Sequence, residues 1–127
     1  MKNTILSMLV ILSSLYSQAQ STASKSKSRF MIRHTVVFKL KYPKGSPEES
    51  EFMSAGARLA SIPGVRRFES LRQTSKYNDY DYGFSMEFDS SKAYEEYLRH
   101  PDHTRFVETY WAAYVEKFLE IDYESIK

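Results

Sequence analysis

The stretch RFMIRHTVVFKLK, residues 29–41, alternates without interruption. Phe30, Ile32, His34, Val36, Phe38 and Leu40 fall on one side, and Arg33, Thr35, Val37, Lys39 and Lys41 on the other. Period two in β-branched and aromatic residues marks a strand with one buried face, which obliges the rest of the chain to supply partner strands and a covering layer. Pro43, Gly45 and Pro47 end the strand. Ser46 as N-cap and Pro47 at the first helical position predict a helix over about residues 47–61, with Phe52, Ala55, Leu59 and Ile62 inward. IPGV stops that helix. A charged strand, VRRFESLRQTS, and an apolar one, YDYGFSMEF, are separated by the turn KYNDYD and are close enough to pair as a hairpin. The second of them carries the row Tyr80, Tyr82, Phe84, Met86 and Phe88.

Asp89 or Ser90 caps a short helix over SSKAYEEYLRH, with Tyr94, Tyr97 and Leu98 inside. Pro101 ends it and opens another, from about Asp102 to Val115, that buries Phe106, Val107, Tyr110 and Trp111 or Tyr114. FLEIDYE closes the chain as a fourth strand. The order β-α-β-β-α-β predicts an α+β, ferredoxin-like subunit, a four-stranded antiparallel sheet with helices on one face. The opposite face, with Thr35, Val37, Lys39, Arg67, Glu69, Leu71, Ser85 and Glu87, is mixed, and suits either water or the matching face of a second subunit.

A chain of 127 residues holds one domain. Residues 1–19 have the layout of a secretory signal peptide: Lys2, an apolar run from Ile5 to Leu12, and small residues at Ser17 and Ala19. Residues 20–28 form a Ser/Lys-rich flexible linker, and residues 29–127 the domain. An exported protein, periplasmic or secreted, is expected, with no stable membrane anchor because the apolar run is shorter than the roughly 20 residues a span needs. The chain has no cysteine, which excludes disulfides, thiolate metal sites and a thiol nucleophile. A net charge of +2 gives no electrostatic support for nucleic-acid binding. Four glycines and no Gly-rich phosphate loop exclude dinucleotide binding, and no cofactor is expected.

The groups able to do chemistry are few. His103 falls in the first turn after Pro101, where a helix N-terminus disfavours positive charge and keeps an imidazole neutral, as a general base must be. Tyr97 lies across the proline kink from it. His34 and Tyr82 sit on the apolar rows of the first and third strands, and a polar group placed there needs a partner or water. These four groups in one layer predict a small polar-lined cavity; the plainer alternative is that each is a satisfied core residue. His100 precedes a proline, so it is expected to be extended and to cap the preceding helix. His100, Asp102 and His103 offer metal-ligand atoms, but across a helix break and at no zinc spacing.

Three segments, MIRHTVVFKLK, FDSSKAYEEYLRHPDHTRF and VEKFLEIDYE, resemble the stress-responsive A/B barrel family, the dimeric α+β barrels, over about Arg29 to Glu124. The resemblance implies a homodimer whose two sheets face each other. Within that family the chain is similar to plant polyketide cyclases of the olivetolic acid cyclase type. That similarity implies His103 as general base, Tyr97 as its assistant and His34 as a pocket histidine, with Tyr82 replacing a further pocket histidine and Phe38 and Phe84 as pocket walls. The expected function is binding of a small, partly apolar ligand between sheet and helices, with cofactor-free cyclase- or lyase-type general-base chemistry. The alternatives are a non-catalytic ligand-binding or stress-protective protein, and a cofactor-independent monooxygenase of the related barrel superfamily.

Overall fold

Strand β1 (Ile32–Leu40) lies inside the sheet, with β3 (Tyr82–Phe88) on one side and β4 (Val115–Tyr123) on the other, both antiparallel to it. β2 (Arg66–Arg72) pairs with the outer side of β3, giving the order β2-β3-β1-β4. The computed structural model describes residues 32–126. The expected signal peptide, the linker and the start of the domain, with Phe30, lie outside the described residues. Within them no helix is long and apolar enough to cross a membrane.

The helices cover one face of this sheet. α1 (Pro47–Ala57) starts where Ser46 Oγ accepts the Glu49 N–H at 3.2 Å and Pro47 occupies the first turn, and it tightens into a 3-10 turn over Arg58–Ser61. α2 (Ser91–Arg99) is capped by Ser90, whose hydroxyl accepts the Ala93 N–H at 3.1 Å. The segment after Pro101 is not the single helix expected from Asp102 to Val115. It is α3 (Pro101–Phe106), a π turn over Val107–Trp111 and a last helical turn, α4 (Ala112–Tyr114). A π turn is wider than an α turn and recurs beside functional sites. Here Val107 and Trp111, at its two ends, both reach the same hollow.

Between the layers sits an aromatic core. Phe38, Phe52, Phe84, Phe88, Met86 and Tyr97 are its largest fully buried side chains. Phe38 meets Phe52, Phe84 and Trp111 with ring centroids 4.9–5.3 Å apart, in tilted or edge-on arrangements that suit ring quadrupoles. Gly56 lets α1 approach this core, because a side-chain methyl there would run into the Phe84 ring. β2 carries a bulge between Arg66 and Glu69, with Arg67 at φ +48°, and this brings the Arg67 guanidinium to 3.8 Å from Glu87. Arg33, opposite Glu87 in the β1–β3 register, binds the same carboxylate at 2.9 Å.

β4 runs against the usual polarity of a sheet edge. Phe118, Glu120 and Asp122 lie opposite Phe38, Val36 and His34, so they point to the helix side. Leu119, Ile121 and Tyr123 therefore occupy the open face, where with Leu71 they are exposed.

Candidate functional site

The helix break at Pro101 creates the central feature of the site. Pro101 has no N–H, so the α2 ladder cannot continue through it. The His100 N–H donates to the Tyr97 carbonyl at 3.1 Å, and the Asp102 N–H turns to His100 Nδ1 at 3.1 Å. In an unbroken helix that Asp102 N–H would have served the Leu98 carbonyl. Instead His103 Nδ1 lies 3.1 Å from the Leu98 carbonyl oxygen. A carbonyl only accepts, so Nδ1 carries the proton and a neutral His103 keeps the lone pair on Nε2. His100 is thus a cap twice over, closing α2 with its backbone and opening α3 with its ring.

Below this kink lies a cavity of about 260 Å³, floored by β1, β3 and β4 and roofed by α2, α3 and the π turn. His34, Tyr97 and His103 share it. The Tyr97 ring is 4.6 Å from the His103 ring and 6.1 Å from that of His34, centroid to centroid. Leu98, Val107 and Phe118 also line it and are partly exposed, so the hollow opens to the surface along their side.

Tyr97 is only 1% exposed, yet its hydroxyl has no hydrogen-bond partner among the described residues. No fully enclosed side-chain polar atom among them lacks a partner, so this hydroxyl reaches open space, and the cavity is the space it lines. Burial, with a smaller push from Glu120, raises its pKa, and it stays a neutral donor. His103 moves the other way. Burial lowers its pKa below the ordinary value of 6.5, reinforced by His34 and opposed by the Leu98 carbonyl and Glu120. The expectation that a helix end holds His103 neutral is corrected to this extent: α3 is a six-residue helix, and desolvation in the cavity wall is the main cause.

At the far end of the cavity stands a cluster that the sequence alone did not assemble. His34 Nδ1 is 2.7 Å from Asp122 Oδ1, and the Tyr94 hydroxyl donates to Asp122 Oδ2 at 2.8 Å. The same hydroxyl is 3.2 Å from Glu120 Oε1 and 3.2 Å from His34 Nδ1. Burial first, and then Asp122, drive the Tyr94 pKa upward. Asp122 fixes the His34 ring with Nδ1–H toward it, leaving Nε2 without a partner among the described residues. Glu120 and Asp122 were overlooked because they share the outermost strand with Leu119, Ile121 and Tyr123, and an apolar row is ordinarily assigned inward. The usable signal was their i, i+2 spacing, which sets both carboxylates on whichever face His34 shares.

Phe84 lines the cavity; Phe38 and Tyr82 do not. The strand register explains both differences. His34 is opposite Met86, whereas Phe38 is opposite Tyr82, four residues and roughly 13 Å further along. Phe38 is wholly buried in the aromatic core. The Tyr82 hydroxyl donates to Glu49 Oε2 at 2.7 Å, and burial together with that carboxylate pushes its pKa up to about 12. Among the described residues, His34, Glu120 and Asp122 place three metal-ligand atoms within 4.8 Å of one another. A cation there would have to replace the protons through which Asp122 already holds His34 and Tyr94.

The model of the Stress Responsive A/B Barrel Domain family matches residues 32–125, all but the last of the residues just described. The chain belongs to that family. Among solved structures, this A/B barrel domain is similar to a family protein with a ferredoxin-like fold from Mesorhizobium loti: 52% identity, TM-score 0.75, covering 78% of this chain and all (100%) of that one. It is also similar to a dimeric ferredoxin-like protein of unknown function from Bacteroides fragilis, at 24% identity and TM-score 0.58, covering 74% of this chain and 95% of that one. The hydroxynitrile lyase of Passiflora edulis shares the fold at 15% identity and TM-score 0.67, covering 76% and 94%. No curated protein matches the chain.

A histidine whose folded pKa is lowered contributes stability that is complete above its unfolded value of about 6.5 and is lost as pH falls through the folded pKa. Urea unfolding at pH 7.5 and pH 5.5 should therefore show a larger loss for the native A/B barrel domain than for His103→Gln. Equal losses would mean that His103 titrates as a solvated imidazole.

Proposed function

We propose that this A/B barrel domain is a cofactor-free general-base enzyme acting on a small, partly apolar carbonyl compound bound in the cavity. One observation carries the reading: an unpartnered phenol, Tyr97, and an imidazole whose free nitrogen is Nε2, His103, stand side by side in an otherwise largely apolar hollow. His103 Nε2 would take a proton from the carbon next to the substrate carbonyl. The C–H electron pair moves into the enolate, and the oxygen bearing the charge takes the Tyr97 O–H as hydrogen-bond donor. The enolate carbon then adds to a second carbonyl of the same molecule, and the new alkoxide takes the proton back from the His103 imidazolium. His34, held by Asp122, faces the same space with a second free nitrogen and is placed to orient the substrate.

That the Passiflora edulis neighbour is a lyase adds fold-level analogy only. The cavity volume, about 260 Å³, lies just under the ~300–1,000 Å³ of drug-sized pockets, which favours a compact substrate.

His103→Ala should reduce turnover of a small 1,5-dicarbonyl probe, which the proposed step closes to a six-membered ring, by roughly 10²–10⁴-fold, the usual share of a general base, while shifting the melting temperature little. Tyr97→Phe should lower kcat more than it raises KM. Binding of the probe without consumption by the native protein would instead make the cavity a ligand-binding site.

We also propose that the protein works as a homodimer through the open sheet face. Leu71, Leu119, Ile121 and Tyr123 add exposed apolar surface to that otherwise mixed face, and the Bacteroides fragilis neighbour is dimeric. Sedimentation equilibrium should return a two-chain mass that Leu119→Glu reduces to one chain; a monomeric native protein would refute the proposal.

A further inference from the structure

Glu120 is a carboxylate in the wall of a cavity that no Lys or Arg lines. The protons near it are already committed. The cluster holds two donors, the His34 Nδ1–H and the Tyr94 O–H, and Asp122 accepts both at the shortest distances, 2.7 and 2.8 Å. What remains for Glu120 is the Tyr94 hydroxyl at 3.2 Å and His34 Nδ1 at 3.7 Å, both longer than the same groups' contacts to Asp122. A hydroxyl donates one hydrogen bond, so Glu120 only shares the Tyr94 proton with Asp122, at the longer of the two distances, and its half-exposed side chain is left able to accept from a ligand. The charge count points the same way: two carboxylates face at most one imidazolium, so this end of the cavity is net negative whether or not His34 is protonated. A second polar group awaits a ligand in the same hollow, the Tyr97 hydroxyl, in a residue 1% exposed.

We infer that Glu120, backed by Asp122 and Tyr94, is a cation-recognising subsite, and that the cavity takes compact, mostly apolar molecules bearing a protonated amine while rejecting carboxylates and phosphates of the same size. The assignment rests on the cavity being the ligand site proposed above, and adds the ligand's charge. An ammonium group reaching Glu120 would supply a full donor and offset the negative end, whereas an anion would meet two carboxylates with no Lys or Arg in the cavity wall to offset them, the repulsive element on which specificity depends. A neutral hydroxyl would supply the donor without the charge and should fall between the two.

Three probes of matched size separate these possibilities: phenethylamine, 2-phenylethanol and phenylacetate, titrated into the full chain at low ionic strength and followed by calorimetry and by amide shifts of residues 94, 97, 103 and 120. Phenethylamine should bind at least tenfold more tightly than either other probe. Glu120→Gln, which keeps the size of the side chain and removes its charge, should erase that preference. Tyr94→Phe, which removes a donor and no charge, should retain it. Equal or tighter binding of phenylacetate, a preference unchanged in Glu120→Gln, or no amine binding at millimolar concentration would overturn the inference. So would zinc or magnesium chloride displacing the amine with its own shifts at His34, which would make the cluster a metal site. Turnover of dicarbonyl probes without charge preference would leave the proposed reaction standing and remove this subsite. A Glu120-dependent amine preference with no turnover of any carbonyl compound would do the reverse.

Discussion

One missing N–H organises the site. Pro101 cannot extend the α2 ladder, and its absence propagates through three residues: His100 turns its ring to the Asp102 amide, the Leu98 carbonyl loses its natural donor, and His103 Nδ1 takes it. Each substitution satisfies a backbone group at the helix break that would otherwise be left to water. The same bond that closes the helix end also selects the His103 tautomer, so helix capping and the proposed chemistry share a single interaction. The Tyr-x-x-His-Pro-x-His spacing follows: the tyrosine and second histidine bracket the kink and meet at 4.6 Å across it.

Much of this was legible in the sequence. Unbroken alternation in β1, the Ser46–Pro47 start of α1 and the Pro101 stop of α2 are local signals, and local physics decided them. His34, Tyr97 and His103 converge because two polar groups on inward rows and one beside a kink had few other places to go. Tyr82 and Phe38 show the limit of that reasoning. A row says which face a residue occupies, and only the strand register says how far along it lies; both sit at the opposite end of β1 and β3 from His34. The π turn at Val107–Trp111 was likewise invisible, because helical periodicity does not distinguish one extra residue in a single turn.

The harder miss was β4. Leu119, Ile121 and Tyr123 face away from the helices while Glu120 and Asp122 face toward them beside Phe118, a pattern that suits an outer face covered by something other than this chain's own core and an inner face with a task besides packing. The inversion therefore ties the two proposals together. An apolar outer row suits a second copy, and the inward Glu120 and Asp122 set the polarity of the cavity end and the orientation of His34.

The most direct measurement is the tautomeric state of His103 at neutral pH, read from the ¹⁵N shifts and long-range ¹H–¹⁵N couplings of its ring. A neutral ring with the proton on Nδ1 and an unprotonated Nε2 is the predicted result, with the Nδ1 proton protected from exchange by the Leu98 carbonyl. A ring protonated on Nε2 alone, or a charged imidazolium, would leave the cavity without its base and contradict the account.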